Sequence, residues 1–369
     1  MKVIAVVPGK AGAHLIEKPE PVITRSDEIK VRVIRIGICG TDREESAGGR
    51  AKAPEGASEL VIGHEMFGQI FEIGSEVRHF NPGDLVVLTV RRGCGHCLPC
   101  TMNRQDMCRT GDYQERGIWG LDGYQSEWVV EQEQFAVAVS QELAAIAVLA
   151  EPLSIAEKAI AEAVQLQCAR LPDARATPDW LAGRRCLVAG LGPVGLLASM
   201  VLSLRGAEVF GLDVVDKEST RPSWLKGVGG KYLDGRVMTP NLIGTELGEV
   251  DLIFEATGVA ALEFNLLEAL GQNGIYVLTG IPGGDRELEL SGGDLIRRLV
   301  LKNQLMFGSV NACKDHFRMA LDDLDHARLR WGDMVVNLIT HSYSADEFLT
   351  ALKLHDPNEI KTVIEWGTG

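Results

Sequence analysis

The sequence lacks a surplus of positive charge. Its 37 lysines and arginines stand against 51 aspartates and glutamates, a net −14, and a chain of that sign repels the phosphates of nucleic acids and anionic membranes. An unbroken apolar run long enough to span a bilayer is also missing. The nineteen residues 186–204 carry no charge, which is transmembrane length. Three glycines and Pro193 interrupt them, so two short buried elements fit better than one span. The opening stretch, Met1-Lys2-Val3-Ile4-Ala5-Val6-Val7-Pro8-Gly9, has too short an apolar run for a signal peptide and no small-residue cleavage pattern. A cytoplasmic location is the resulting expectation. There are no solenoid-type repeats and no low-complexity tracts. With 369 residues, 46% hydrophobic and 24% charged, the composition is that of a soluble globular protein with room for two domains.

Cysteine is not scarce, but it is unevenly spread. Cys94, Cys97, Cys100 and Cys108 fall within fifteen positions, whereas Cys39, Cys168, Cys186 and Cys313 are scattered. In the absence of a secretion signal, the crowded group reads as a metal site rather than disulfides. The spacing C-x2-C-x2-C-x7-C lets four thiolates close a tetrahedral zinc site and leaves no position for substrate, so this zinc is structural. His96 lies inside the loop as a bystander.

At the centre of the chain stands Gly190-Leu191-Gly192-Pro193-Val194-Gly195. An apolar strand enters this turn, an apolar helix over 196–204 leaves it, and a second strand over 208–212 ends on Asp213. Such a turn lets the backbone approach a pyrophosphate, and it aims helix N-terminal amides at that group. An acid about twenty residues on can accept ribose hydroxyls. Strand–helix units continue over 250–254, 262–270 and 275–279. They imply α/β architecture with a Rossmann-type, doubly wound parallel sheet. The first 140 residues instead show short β-type runs (2–7, 29–36, 61–62, 69–73, 85–90, 126–130) between glycine and proline turns, the pattern of a small barrel-like domain. Helices are expected over 143–149, 155–166 and 316–324, with a short run at 363–364. A connecting loop carrying Pro172 and Pro178 is expected over 167–184.

A second set of metal-ligating residue types is dispersed. Cys39 follows one strand, His64-Glu65 another, and Glu151 precedes a helix. A thiolate, an imidazole and a carboxylate can hold zinc with one position open, as catalysis requires. Spacing alone favours a core cysteine and a surface His-Glu pair.

Taken in order, Gly-Ile-Cys-Gly-Thr-Asp at 37–42, Gly-His-Glu at 63–65, the four-cysteine loop and the glycine turn resemble the medium-chain zinc-dependent dehydrogenases of the alcohol dehydrogenase superfamily. Thr89-Val90-Arg91-Arg92, Glu115-Arg116-Gly117-Ile118, Glu151-Pro152-Leu153-Ser154 with Lys158, and Gly308-Ser309-Val310-Asn311 resemble its glucose 1-dehydrogenase branch. That resemblance implies a mostly-β, GroES-like catalytic domain over 1–155 and 309–369 and a Rossmann NAD-binding domain over 156–308. It implies two zincs per chain. One is catalytic, on Cys39, His64 and Glu151, with Glu65 as an exchangeable carboxylate; the other is on the four cysteines. Thr41, Glu115, Glu151 and Asn311 would hold sugar hydroxyls. Without the family, a solvated acid, a helix-capping Asn and an N-capping Thr would be the simpler accounts of Glu115, Asn311 and Thr41. Gly190, Leu191, Gly192, Pro193, Val194, Gly195, Asp213, Thr257, Thr279, Ile281 and Asn311 would line the cofactor. Asp42 and Lys158 read as structural, an ion pair or a cap.

The implied reaction oxidises an aldose at its anomeric carbon, with hydride passing to the nicotinamide and the proton leaving through Thr41 and water. A zinc-dependent polyol, alcohol or amino-alcohol dehydrogenase is the alternative. The acidic net charge weighs against a zinc-ribbon module for nucleic acid. No nucleic-acid or membrane partner is expected, and a homo-oligomer, dimer or tetramer, is. One departure from the family bears on the cofactor: NADP-using members carry Asn followed by two arginines where this chain has Asp213-Val214-Val215. NAD is therefore the expected cofactor, in preference to NADP.

Overall fold

The computed structural model describes residues 1–177, 179–283 and 287–367; Pro178 lies outside them. The chain divides into one unit of Met1–Ser154 with Asn311–Gly369 and another of Ile155–Val310. These bounds differ by one or two residues from those expected of the two domains. Among the described residues, no helix is long and apolar enough to cross a membrane.

The first unit is built on a seven-stranded sheet. Its spine is Glu28–Ile38, which pairs antiparallel with Glu65–Ile73, with Lys361–Glu365 and with Trp128–Gln132. Apolar residues at Ile29, Val31, Val33 and Ile36 face a core shared with Met66, Ile70, Val86 and Leu88. Two small three-stranded sheets flank it. One joins Lys2–Val6 to Ala13–Glu17 and Leu60–Val61; the other joins Arg91–Arg92 to Gln114–Arg116 and Gly120–Leu121.

The second unit is a six-stranded sheet in which every adjacent pair is parallel. Its order is Lys231–Asp234, Glu208–Asp213, Arg185–Ala189, Val250–Glu255, Leu270–Leu278, Leu305–Gly308. The order reverses beside Arg185–Ala189, the switch point where ligands gather at strand C-termini. Leu187, Phe210, Ile253 and Tyr276 pack with Ile243 and Leu266 on one face of that sheet.

Several expected elements are corrected, mostly at prolines. The helix expected over 143–149 is two 3-10 turns, Gln141–Leu143 and Ala147–Leu149. Leu143 and Ile146 to Leu149 are buried while Ala145 is exposed, so their apolarity reflects packing. The following helix is Ala150–Arg170, which places Pro152 in its first turn, where a missing N–H removes no helical bond. The loop expected over 167–184 contains the end of that helix and a further one, Pro172–Ala176, with proline again in the first turn. The helix expected over 262–270 is only Ala260–Asn265 with a 3-10 turn to Glu268, and Leu270 already begins the next strand. The helix expected over 316–324 runs further at both ends, Lys314–Trp331.

One buried charge cluster ties the small sheet of Arg91–Arg92 and Gln114–Arg116 to Trp128–Gln132, a partner of the spine. Glu131 Oε2 accepts from Arg92 (Nη2 2.6 Å, Nε 3.1 Å) and from Arg116 (Nη2 2.8 Å, Nε 3.0 Å). Burial opposes the ionised carboxyl, but Arg116 and Arg92 more than offset it and hold Glu131 at about 2. A folded-state value below the ordinary 4.5 means the contribution is complete above pH 4.5 and is lost as pH falls through about 2. It amounts to about 3 kcal/mol. Glu131→Gln is expected to lower the thermal midpoint at pH 7 by several degrees and to flatten its decline in acid. A variant midpoint that fell with pH as steeply as the wild type's would contradict this assignment.

Candidate functional site

In the first unit, Cys39 is the N-cap of the helix Gly40–Ser46, and its N–H donates to Asp42 Oδ2 at 2.7 Å. The other oxygen, Oδ1, accepts the N–H of Gly63 at 3.1 Å and lies 3.8 Å from His64 Nδ1. Asp42, fully buried, thus fastens the cysteine loop to the histidine loop. Gly63 has φ +90°, and a Cβ there would lie 2.5 Å from Gln125 Cγ, so only glycine permits the turn that presents His64. Thr41 Oγ1 lies 3.9 Å from Cys39 Sγ.

The structure brings Cys39, His64 and Glu65 together, with ligand atoms all within 4.8 Å of one another. His64 Nδ1 is buried without a hydrogen bond, and Glu65 Oε2 is buried in an ion pair with Lys361. Burial opposes a charged imidazole, yet Asp42, Cys39 and Glu151 outweigh it and raise His64 well above its ordinary value. The surroundings therefore favour positive charge at this point. A thiol, an imidazole and a carboxylate in such surroundings fit a zinc ion.

Glu151, expected as a ligand, stands outside the 4.8 Å set. It is buried in the first turn of Ala150–Arg170. Burial, seconded by the charge of Glu65, pushes its carboxyl up to about 7 against the pull of His64. Two carboxylates repel each other here unless a cation lies between them.

Sequence reasoning missed Lys361. This fully buried ammonium donates to Glu65 and, at 3.0 Å, to the carbonyl of Ile38. Glu45 was missed too: it is buried with both oxygens unpartnered, and burial and then Asp42 push it up to about 9. A charged residue opening an apolar strand was the only signal for Lys361.

The four crowded cysteines also converge, their sulfurs all within 4.8 Å of one another. Cys94 and Cys100 are 3.9 Å apart, and the N–H of Cys97 donates to Cys94 Sγ at 3.4 Å. The Thr110 hydroxyl and these amides hold the Cys94 thiol at about 5. Four such sulfurs fit a closed tetrahedral zinc.

Glu115 and Asn311 meet as well. Asn311 Nδ2 donates to Glu115 Oε1 at 2.8 Å, both side chains being buried. Asn311 holds a left-handed backbone, φ +61°.

In the second unit the glycine turn caps the helix Pro193–Leu204. A Cβ on Gly195 would lie 1.8 Å from the carbonyl oxygen of Gly190, so close packing of helix on strand requires glycine. Asp213 Oδ2 accepts from the N–H of Leu191 at 2.8 Å, and Oδ1 from that of Val214 at 2.6 Å. Thr257 and Thr279 converge on Glu255, another residue the sequence did not reveal. The N–H of Thr257 donates to Glu255 Oε1 at 2.5 Å, and Thr279 Oγ1 to its carbonyl at 2.6 Å. Ile281 is 67% exposed. Lys158 Nζ donates to the carbonyl of Val310 at 2.9 Å, a structural tie.

Comparison with known proteins places these features in a family. A model of the alcohol dehydrogenase GroES-like domain matches residues 25–141, and one of the glucose dehydrogenase C-terminus matches residues 144–366. Glucose 1-dehydrogenase of Methanocella arvoryzae is 35% identical over 371 residues, covering 100% of both chains. Glucose 1-dehydrogenase 2 of Vulcanisaeta moutnovskia is 38% identical over 370 residues, 99% of each. The solved structure of Haloferax mediterranei glucose dehydrogenase in complex with NADP, Zn and gluconolactone has a TM-score of 0.89 at 32% identity, covering 100% of both chains.

A GroES-like domain joined to a parallel, glycine-turn sheet defines a zinc-dependent medium-chain dehydrogenase using a nicotinamide cofactor. Within that class the chain belongs to the glucose dehydrogenase family.

Cys100→Ser is expected to lower bound zinc by one equivalent per chain and the thermal midpoint by roughly 5 °C or more, with NADH binding retained. Unchanged zinc content in that variant would rule out the four-sulfur site.

Proposed function

We propose that the chain oxidises an aldose, glucose or a similar sugar, at its anomeric carbon to the aldonolactone, with NAD as the preferred acceptor. The convergence of Cys39, His64 and Glu65 within 4.8 Å carries this reading, together with the family the chain belongs to. Zinc, when bound on Cys39 and His64 with Glu151 or Glu65, supplies the Lewis acidity that makes a sugar hydroxyl acidic near neutral pH. Thr41 Oγ1 takes the hydroxyl proton and passes it to water. The C–H bond gives its electron pair to the nicotinamide as hydride, so the sugar loses two electrons and the cofactor gains them. Glu115 and Asn311 orient the sugar through its other hydroxyls, and their burial makes a substrate lacking those hydroxyls costly to bind. A second zinc on Cys94, Cys97, Cys100 and Cys108 is structural in this reading.

The turn Gly190, Leu191, Gly192, Pro193, Val194 and Gly195 takes the pyrophosphate, with Thr257, Thr279, Ile281 and Asn311 contributing further cofactor contacts. The NAD preference rests on Asp213. A 2′-phosphate about 4 Å from that carboxylate would cost on the order of 4 kcal/mol per charge at an effective dielectric of about 20. Asp216 and Asp234 add to the acidity around the same loop, and Arg236 is held by Asp234 at 2.6 Å. The Haloferax structure contains NADP, so this chain would differ from it in cofactor choice. A homo-oligomer, dimer or tetramer, is supported by Ile296, Val300 and Leu301, each at least 60% exposed on the helix Gly292–Leu301. A cytoplasmic location accompanies this reading.

Aldoses, polyols and simple alcohols assayed with NAD and with NADP, following reduced cofactor by absorbance, test the proposal. An aldose with NAD is expected to give the highest kcat/KM. Equal or greater kcat/KM with NADP defeats the cofactor assignment, and a polyol preferred over every aldose defeats the substrate class. His64→Ala is expected to lower kcat by at least about 10³-fold while NADH still binds by fluorescence titration. Turnover near that of the wild type would eliminate the zinc mechanism.

A further inference from the structure

Of the paired arginines in Thr89-Val90-Arg91-Arg92, Arg92 is accounted for by Glu131. Arg91 is not. It lies directly across the antiparallel pair from Glu115, so the two side chains share a face, and both are buried. Its guanidinium makes three hydrogen bonds. Nε and Nη2 donate to Glu115 Oε1 at 3.1 and 2.9 Å, and Nη1 donates to the carbonyl of Asp106 at 2.9 Å. The guanidinium carbon stands 4.1 Å from the ring centroid of Tyr113.

The direction of these bonds is informative. An arginine facing a carboxylate commonly forks, one N–H to each oxygen. Here both N–H groups fall on Oε1, which also accepts Asn311 Nδ2 at 2.8 Å. Oε1 is thereby saturated, and Oε2 accepts none of the three. The carboxylate is held in one orientation while its second oxygen is kept for another donor. Asn311 is fixed by the same arrangement: its Oδ1 accepts the N–H of Ala312 at 2.9 Å, and its Nδ2 is spent in part on Glu115. The anchor behind Arg91 is also rigid. Asp106 sits in the 3-10 turn Gln105–Met107, between Cys100 and Cys108, and Arg104 clamps its carboxylate at 2.8 and 3.0 Å.

We propose that Arg91 is a positioning residue for sugar specificity: it fixes Glu115 so that Oε2 meets a sugar hydroxyl, and it braces that geometry against the four-cysteine lobe through the carbonyl of Asp106. This rests on the reading of Glu115 as a sugar contact. Lysine cannot replace it, because a single ammonium cannot satisfy Glu115 Oε1 twice and the Asp106 carbonyl in one plane. The effect is on recognition, since Arg91 touches neither the zinc ligands nor the cofactor turn.

The test is steady-state kinetics of Arg91→Lys, Tyr113→Leu and Glu115→Gln, with zinc content and thermal midpoint measured alongside. Arg91→Lys is expected to raise KM for the preferred aldose roughly ten-fold, with kcat at saturating sugar within about three-fold and KM for the nicotinamide cofactor unchanged. Tyr113→Leu removes only the stacking ring, keeps the fold if Arg91→Lys does not, and is expected to raise aldose KM about two- to five-fold. Glu115→Gln separates this inference from the reading beneath it. If Glu115→Gln raises aldose KM while Arg91→Lys and Tyr113→Leu stay within two-fold of wild type, the positioning role is overturned and the sugar contact stands. If Glu115→Gln leaves aldose KM unchanged, the sugar contact fails and this inference fails with it. A fall in kcat and cofactor affinity in parallel with aldose KM would show a merely structural arginine and also overturn it.

Discussion

The candidate metal centre of the first unit depends on one carboxylate. Asp42 accepts the Cys39 N–H through one oxygen and the Gly63 N–H through the other, joining loops from different parts of the chain. Remove it and the thiol and the imidazole lose the hydrogen bonds that fix their loops beside one another. The cost of this arrangement is that Asp42 is buried, which raises its pKa from the ordinary range. That burial is tolerable because both oxygens are hydrogen-bonded and His64 stands 3.8 Å away. Glu131 and Glu115 are likewise acids taken out of water, but their partners are arginines: Arg92 and Arg116 on Glu131 Oε2, and Arg91 on Glu115 Oε1.

How much of this was legible in the sequence depended on distance along the chain. The glycine turn and the four-cysteine loop lie within short windows, and their chemistry is a matter of spacing alone. Cys39, His64 and Glu151 carry no spacing signal and became interpretable only through the surrounding family pattern. Lys361 left only the faint sign of a charge opening an apolar strand, because its partner Glu65 lies 296 positions away. Glu255 was hidden for the opposite reason: it ends a strand where an acid reads as a simple terminus, although its side chain organises Thr257 and its carbonyl holds Thr279. Secondary structure departs from expectation chiefly around Pro152 and Pro172, which stand in the first turns of helices. The apolar stretch at 143–149 misleads because four consecutive buried residues, Ile146 to Leu149, leave no helical stripe to detect.

The cofactor end shows how one fold can be retuned. Asp213 is held by the N–H groups of Leu191 and Val214, so it is part of the turn as well as a candidate partner for ribose. Tyr232 adds a second brace, its single O–H shared between the carbonyls of Asp213 and Val215, 2.9 and 2.5 Å from the hydroxyl oxygen. A change of cofactor would therefore require more than exchanging one acid. The loop that follows Asp213 is shaped by its own contacts, and those would have to change with it.

Lys361 has a consequence for the electrostatics of this centre. Its ammonium pairs with Glu65 in the interior, so the fold itself answers that carboxylate's charge. A cation bound beside Cys39 and His64 would have to share Glu65 with an ammonium already in place, instead of meeting a free carboxylate.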